Sequence, residues 1–197
     1  MELGLAVGEW LRIVPEGSEE VRDGRVVLRL ARGAFGSGEH ETTRSCLEAL
    51  GALGPLQGAL VLDLGSGTGV LAIAAVLLGA RSAVCVDPDP RAVATARRNG
   101  ALNGVAAALE HVEGTLDDVG QGARFDVVLA NLYGDVLLPI VGGLAARTAP
   151  GGTLILSGVA WEYDCDVRRR LETAGCTLRR HRMLEEYSTL VASVEKQ

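Results

Sequence analysis

The residues best suited to chemistry sit where apolar runs give way to glycine or to polar side chains. Residues 61–69 read Val-Leu-Asp-Leu-Gly-Ser-Gly-Thr-Gly. A loop of Gly65, Ser66, Gly67, Thr68 and Gly69 that leaves a buried strand and opens a helix presents backbone amides to a ligand. Its glycines let the chain take positive φ and approach that ligand closely. Asp63 lies inside this run, and Asp87 ends the next one. A carboxylate at that second strand end can accept two hydrogen bonds from a ribose diol. Loop and acid together point to an adenosine-type cofactor; the plainer alternative is a tight turn with a core aspartate. A third apolar run, 125–131, ends in Asn131-Leu132-Tyr133. An Asn carboxamide there can accept a hydrogen bond from a nucleophilic nitrogen and aim its lone pair, or it can cap the next helix. Tyr133 either walls the site or packs.

Bringing these three junctions together takes a sheet whose strand ends lie side by side. From residue 59 the pattern predicts strands at 59–64, 83–87, 109–112, 125–131 and 153–157. Helices alternate with them at 70–78, 90–102, after 131 to about 147, and at 162–174. Strands alternating with helices imply a mainly parallel sheet covered on both faces, and the near-continuous apolar strands agree. Residues 176–183 and 188–195 read as two strands joined by a short link at Glu185 and Glu186. Such a link cannot carry a parallel crossover, so the last strand must be antiparallel. Upstream, 42–53 reads as a helix. Residues 10–14 and 25–30 read as strands, with a hairpin-type Asp23-Gly24 before the second. Residues 1–34 are therefore expected to form a small appendage, and 35–197 the main domain.

The glycine spacing narrows the cofactor. A dinucleotide fingerprint wants its third glycine six places along, where Val70 stands, and no Gly-Lys-Ser/Thr follows for a phosphate loop. Glycines at 65, 67 and 69 suit an amino-acid tail better than a diphosphate. With an antiparallel final strand, this favours S-adenosylmethionine over NAD. Composition excludes other classes. The chain has 197 residues, 48% hydrophobic, 4% aromatic, with a net charge of −6; it is a packed protein lacking the basic footprint of a direct nucleic-acid binder. Arg168, Arg169 and Arg170, then Arg179, Arg180 and Arg182, form local basic clusters, read as solvated faces or as a dock for an acidic partner. The four cysteines form no Cys-x-x-Cys pair and share no ligand spacing with the histidines, so no metal is expected. The first residues lack a signal-peptide pattern and the longest apolar run, 70–80, is too short for a bilayer. A reduced, cytoplasmic setting fits these features.

Residues 34–43, Ala-Phe-Gly-Ser-Gly-Glu-His-Glu-Thr-Thr, come close to a signature of one family. With 62–71 and with Ala130-Asn131-Leu132-Tyr133, they make the chain resemble the ribosomal protein L11 methyltransferases over roughly residues 30–195. The resemblance implies a Rossmann-like class I methyltransferase with a seven-stranded, mainly parallel sheet. It implies cofactor-binding roles for Thr43, Gly65, Asp87 and Asn131, with Asp63, Ser66, Gly67 and Gly69 completing the loop. Phe35 and Gly36 match a loop that closes over the cofactor, where a glycine-hinged segment can exclude water. It also implies N-methylation of lysine or amino groups on a protein such as L11. Family members carry a separate N-terminal recognition domain, whereas only about 30 residues precede the signature here. This leaves room for another protein substrate, such as the electron-transfer flavoprotein β subunit.

The expected chemistry is in-line displacement at the sulfonium methyl by a neutral amine. Deprotonating a free lysine, with a pKa near 10.4, costs about 4–5 kcal/mol at pH 7, and an apolar mouth lowers that cost. Glu39, His40 and Glu41 lie in the signature, yet none is assigned as a base; Asn131, Phe35 and Tyr133 are the candidates beside the reacting atoms. Rival readings are a small-molecule methyltransferase, a non-catalytic cofactor-binding module and, disfavoured by Val70, a nicotinamide oxidoreductase.

Overall fold

The computed structural model describes residues 4–19, 23–31 and 40–195. A small sheet holds β1 (Leu5–Val7), β2 (Leu11–Pro15) and β3 (Val26–Leu30). Then come α1 (Glu41–Gly51), β4 (Leu60–Leu64), α2 (Val70–Leu77), β5 (Ser82–Asp87), α3 (Pro90–Leu102), β6 (Leu109–Glu113), β7 (Phe125–Asn131) and α4 (Gly134–Arg147). β8 (Thr148–Ala160), α5 (Trp161–Thr173), β9 (Cys176–Met183) and β10 (Tyr187–Val194) complete the chain. The large sheet has seven strands in the order β6-β5-β4-β7-β8-β10-β9. Strands β4 to β8 pair in parallel. β10 slots between β8 and β9, antiparallel to both, as the short link requires.

Alternation along the strands sorts the core into two layers, because successive side chains point to opposite faces. Val61, Ala83, Cys85, Val127, Leu129 and Ile155 pack with α1 and α2. Leu62, Leu64, Val86, Val128, Leu154 and Leu156 pack with α4 and α5. The chain leaves β4 toward β5 on one side, while β7 leads to β8 on the other. The carboxyl ends of β4 and β7 therefore flank the point where the strand order reverses, the usual ligand position in open α/β sheets.

Two local readings need correction. Residues 10–14 and 25–30 do not make a hairpin: β2 and β3 pair in parallel, from Leu11 opposite Val26 to Pro15 opposite Leu30. The stretch 16–25 is long enough to carry the chain back to the start of β2. Asp23 pins that return through ion pairs with Arg12 and Arg25, both at 2.7 Å. The antiparallel neighbour of β2 is β1, which the sequence pattern missed. The strand expected at 153–157 is longer: β8 starts at Thr148 and takes in Pro150-Gly151-Gly152, where the register against β7 jumps between Phe125–Thr148 and Val127–Thr153. Val7, Leu11, Ile13, Leu28 and Leu30 of the small sheet share one core with α1 and α2.

Candidate cofactor and methyl-transfer site

The glycine loop is stitched to the end of β5. Gly65 N and Ser66 N both donate to Val86 O, at 2.8 and 3.1 Å. Gly67 N donates to Asp87 Oδ2 and Asp89 N to Asp87 Oδ1, each at 2.9 Å. Each carboxylate oxygen keeps a lone pair for a further donor. All three glycines have positive φ, and two of them are also closely packed. Gly65 has φ +70°, and a Cβ there would fall against the Leu132 side chain. Gly69, at φ +76°, is the N-cap of α2, and its Cβ would lie 3.0 Å from Ala96 Cβ on α3. Above Gly67 no atom of the described residues lies within 4 Å of where a Cβ would be. The middle of the loop faces open space while its two ends are packed.

Asp63 lies under this loop, 1% exposed. Its Oδ2 accepts from Ala72 N at 3.1 Å, and its Oδ1 has no partner among the described residues. Burial, helped by the charge of Asp87 and opposed by the Ala72 amide, pushes its pKa up to about 7. The Ser66 hydroxyl is likewise buried without a partner among the described residues. These unpartnered polar atoms beside a packed loop fit a polar ligand better than an empty turn.

Asn131 ends β7 opposite Ser157 of β8. Its Nδ2 donates to Thr43 Oγ1 at 3.1 Å, and among the described residues nothing donates to its Oδ1. It is not a helix cap, since Tyr133 occupies the N-cap of α4. Tyr133 is 68% exposed, so it does not serve as packing. Thr43 is held by α1, whose N-cap His40 accepts from Thr42 N and contacts Thr42 Oγ1 at 2.8 Å. Phe35, Gly36 and Glu39 lie outside the described residues.

Two residues escaped the sequence reading. Asn99, fully buried on α3, accepts from Ala31 N and donates to Thr68 O, both at 2.9 Å. It ties the end of the small sheet to the glycine loop. The only sequence signal is an amide on the buried side of an amphipathic helix. Ser157, also fully buried, shares a 2.7 Å hydrogen bond with Thr189 Oγ1. A lone hydroxyl closing the apolar run Ile155-Leu156 could have marked it.

Residues 5–195 match the family described as Ribosomal protein L11 methyltransferase (PrmA). The chain belongs to that family. The ribosomal protein L11 methyltransferase of Trichlorobacter lovleyi is 46% identical over 171 residues, 83% of this chain and 55% of that one. The Geobacter sulfurreducens protein of the same name is 44% identical over 183 residues, 92% and 57% of the two chains. The chain thus spans little more than half the length of these relatives. Among solved structures, the ribosomal protein L11 methylase from Lactobacillus delbrueckii subsp. bulgaricus has a TM-score of 0.84 at 26% identity, covering 96% of each chain. The T. thermophilus 16S rRNA N2 G1207 methyltransferase, in complex with AdoMet and guanosine, has a TM-score of 0.69 at 26% identity. That match covers 83% of this chain and 46% of that one. The Rossmann-like methyltransferase fold, with its antiparallel last strand, is therefore that of the family. No helix among the described residues is long and apolar enough to cross a membrane.

Asp63 holds its proton in the folded state from its ordinary 3.8 up to about 7. Folding then takes up a proton across that window, so stability is full below it and falls as pH rises through it. Denaturant titrations of the cofactor-free chain should show this fall, and Asp63→Asn should flatten it. Asn99→Leu removes the hydrogen bonds to the Ala31 amide and the Thr68 carbonyl, and should lower unfolding stability by about 2 kcal/mol; equilibrium denaturation measures it.

Proposed function

We propose that this chain is the catalytic part of an S-adenosylmethionine-dependent protein methyltransferase that N-methylates lysine or amino groups of a protein such as ribosomal protein L11. The observation that carries the reading is the meeting of three elements at one edge of the sheet. They are the open centre of the glycine loop, the Asp87 carboxylate, and the Asn131–Thr43 pair. A cytoplasmic setting and a protein partner belong to the same proposal.

In this reading Asp87 holds the ribose hydroxyls, using the lone pairs left beside the Gly67 and Asp89 amides. The amides of 65–69 and the unpartnered Asp63 Oδ1 and Ser66 Oγ receive the amino-acid tail. An ammonium beside Asp63 favours its charged form, reversing the rise that burial imposes. When bound, S-adenosylmethionine supplies an electrophilic methyl on a sulfonium. The chain's own residues prepare the acceptor. Asn131 Oδ1, oriented by the bond from Nδ2 to Thr43, accepts a hydrogen bond from the attacking amine and aims its lone pair. His40 and Glu41 have structural duties. His40 caps α1. Glu41 accepts from the backbone amides of Glu185 and Glu186, at 3.1 and 3.4 Å. Neither is assigned as a base, so rate comes from positioning and from an acceptor amine stripped of water. Phe35 is a further candidate by the family resemblance alone, and Tyr133 walls the entrance.

Calorimetric titration with S-adenosylhomocysteine tests the cofactor reading. Asp87→Ala should weaken binding by about tenfold or more, the loss of charge-assisted hydrogen bonds. Asn131→Ala should weaken binding less than Asp87→Ala does and lower kcat by about a hundredfold. Labelled methyl groups transferred to purified L11, or to another protein in whole extract, support a protein acceptor. Label found only on small metabolites would falsify it.

A further inference from the structure

Six large apolar side chains are exposed among the described residues: Leu53, Leu60, Tyr133, Val136, Trp161 and Met183. Leu60 starts β4 and Leu53 follows the far end of α1, so these two lie toward the amino edge of the sheet. The other four lie at the carboxyl edge, around Asn131. Tyr133 caps α4 and Val136 is in its first turn. Trp161 opens α5, and Met183 ends β9 opposite Ser188.

Side-chain contacts join these positions into one surface. A Cβ on Gly134 would fall 2.6 Å from Tyr163 Cδ2, so the starts of α4 and α5 are in close contact. Trp161 Nε1 donates to Tyr187 O at 3.3 Å. The His40 ring meets the Tyr187 ring edge-on, with centroids 5.6 Å apart, which leads back through α1 to Thr43 and Asn131. Exposed carboxylates accompany the apolar groups: Asp135 precedes Val136, Glu162 follows Trp161, and Glu185 and Glu186 follow Met183 in the β9–β10 link. Glu41 holds that link in place by its backbone amides, which leaves the Glu185 and Glu186 side chains turned to solvent. The cations nearby are engaged elsewhere. Arg168 and His181 both pair with Asp164, and Arg182 pairs with Glu48. Among the described residues, Arg44 on α1 and Arg180 on β9 are exposed and make no ion pair.

We propose that this edge is the docking surface for the methyl acceptor, and that it takes a cationic protein segment with apolar residues beside the lysine to be methylated. The inference rests on the reading of Asn131 as the place where the amine arrives. Aromatic faces beside carboxylates hold the alkyl stem and the ammonium of a lysine together. The same carboxylates repel phosphates, so a nucleic-acid acceptor does not suit this edge. A solvent-exposed apolar patch at the mouth of a site is the ordinary mark of a partner surface.

The test is steady-state methyl transfer to purified L11 from Geobacter sulfurreducens, run beside calorimetric binding of S-adenosylhomocysteine, in E185Q/E186Q and W161A. The surface predicts KM for L11 raised about fivefold or more in each, with kcat and S-adenosylhomocysteine affinity within about twofold. KM within about twofold of wild type in both variants overturns the surface and leaves the methyltransferase reading standing. If the wild-type chain binds S-adenosylhomocysteine but leaves L11 unlabelled, the L11 assignment fails on its own, and Trp161 fluorescence then decides the surface. A blue shift on titrating a short lysine- and leucine-bearing peptide, absent in W161A and weakened in E185Q/E186Q, sustains it. No shift, or an equal shift with oligouridylate, overturns it.

Discussion

Asp87 receives a backbone amide on each of its carboxylate oxygens, one from Gly67 in the glycine loop and one from Asp89 at the start of α3. The Gly67 bond, with the Gly65 and Ser66 amides on Val86 O, joins the end of β4 to the end of β5, while the Asp89 bond orients the carboxylate. The loop cannot relax away from it, because Gly65 is packed against Leu132 and Gly69 against Ala96. The open centre above Gly67 is what remains. The strand order explains why this space borders Asn131: β4 lies between β5 and β7, so the acid, the loop and the amide come from three adjacent strand ends.

The supports behind these groups are as specific as the groups themselves. Thr43 orients the Asn131 carboxamide from α1, and α1 is itself capped by His40. Asn99 links the loop to the backbone just before the signature segment, at Ala31. On the far side of β8, Asp164 gathers Ser188, His181 and Arg168. Burial raises its pKa, but the hydrogen bonds and nearby charge outweigh burial and hold it below the usual carboxylate range. That knot ties α5 to the β9–β10 pair, beside the edge where an acceptor would arrive.

Much of this was legible in the residues. The helices at 70–78 and 90–102 and the strand around the apolar residues 127–130 were plain, because local conformational preference and burial agree there. The antiparallel last strand followed from the length of one link. The small sheet was misread because Asp23-Gly24 has the local chemistry of a hairpin, while pairing is decided by the length of 16–25 and by the Arg12–Asp23–Arg25 ion pairs. In the site, the loop and Asp87 stood out through their spacing. Asn99 and Ser157 did not, since a buried polar residue reveals its purpose only through the partners that the fold brings to it.

A crystal structure of the chain with S-adenosylhomocysteine tests the central claim most directly. The account predicts both ribose hydroxyls on the Asp87 carboxylate, the amino-acid tail over Gly67, and the sulfur facing Asn131. A ligand bound elsewhere, or one in this crevice with its ribose turned away from Asp87, would contradict it.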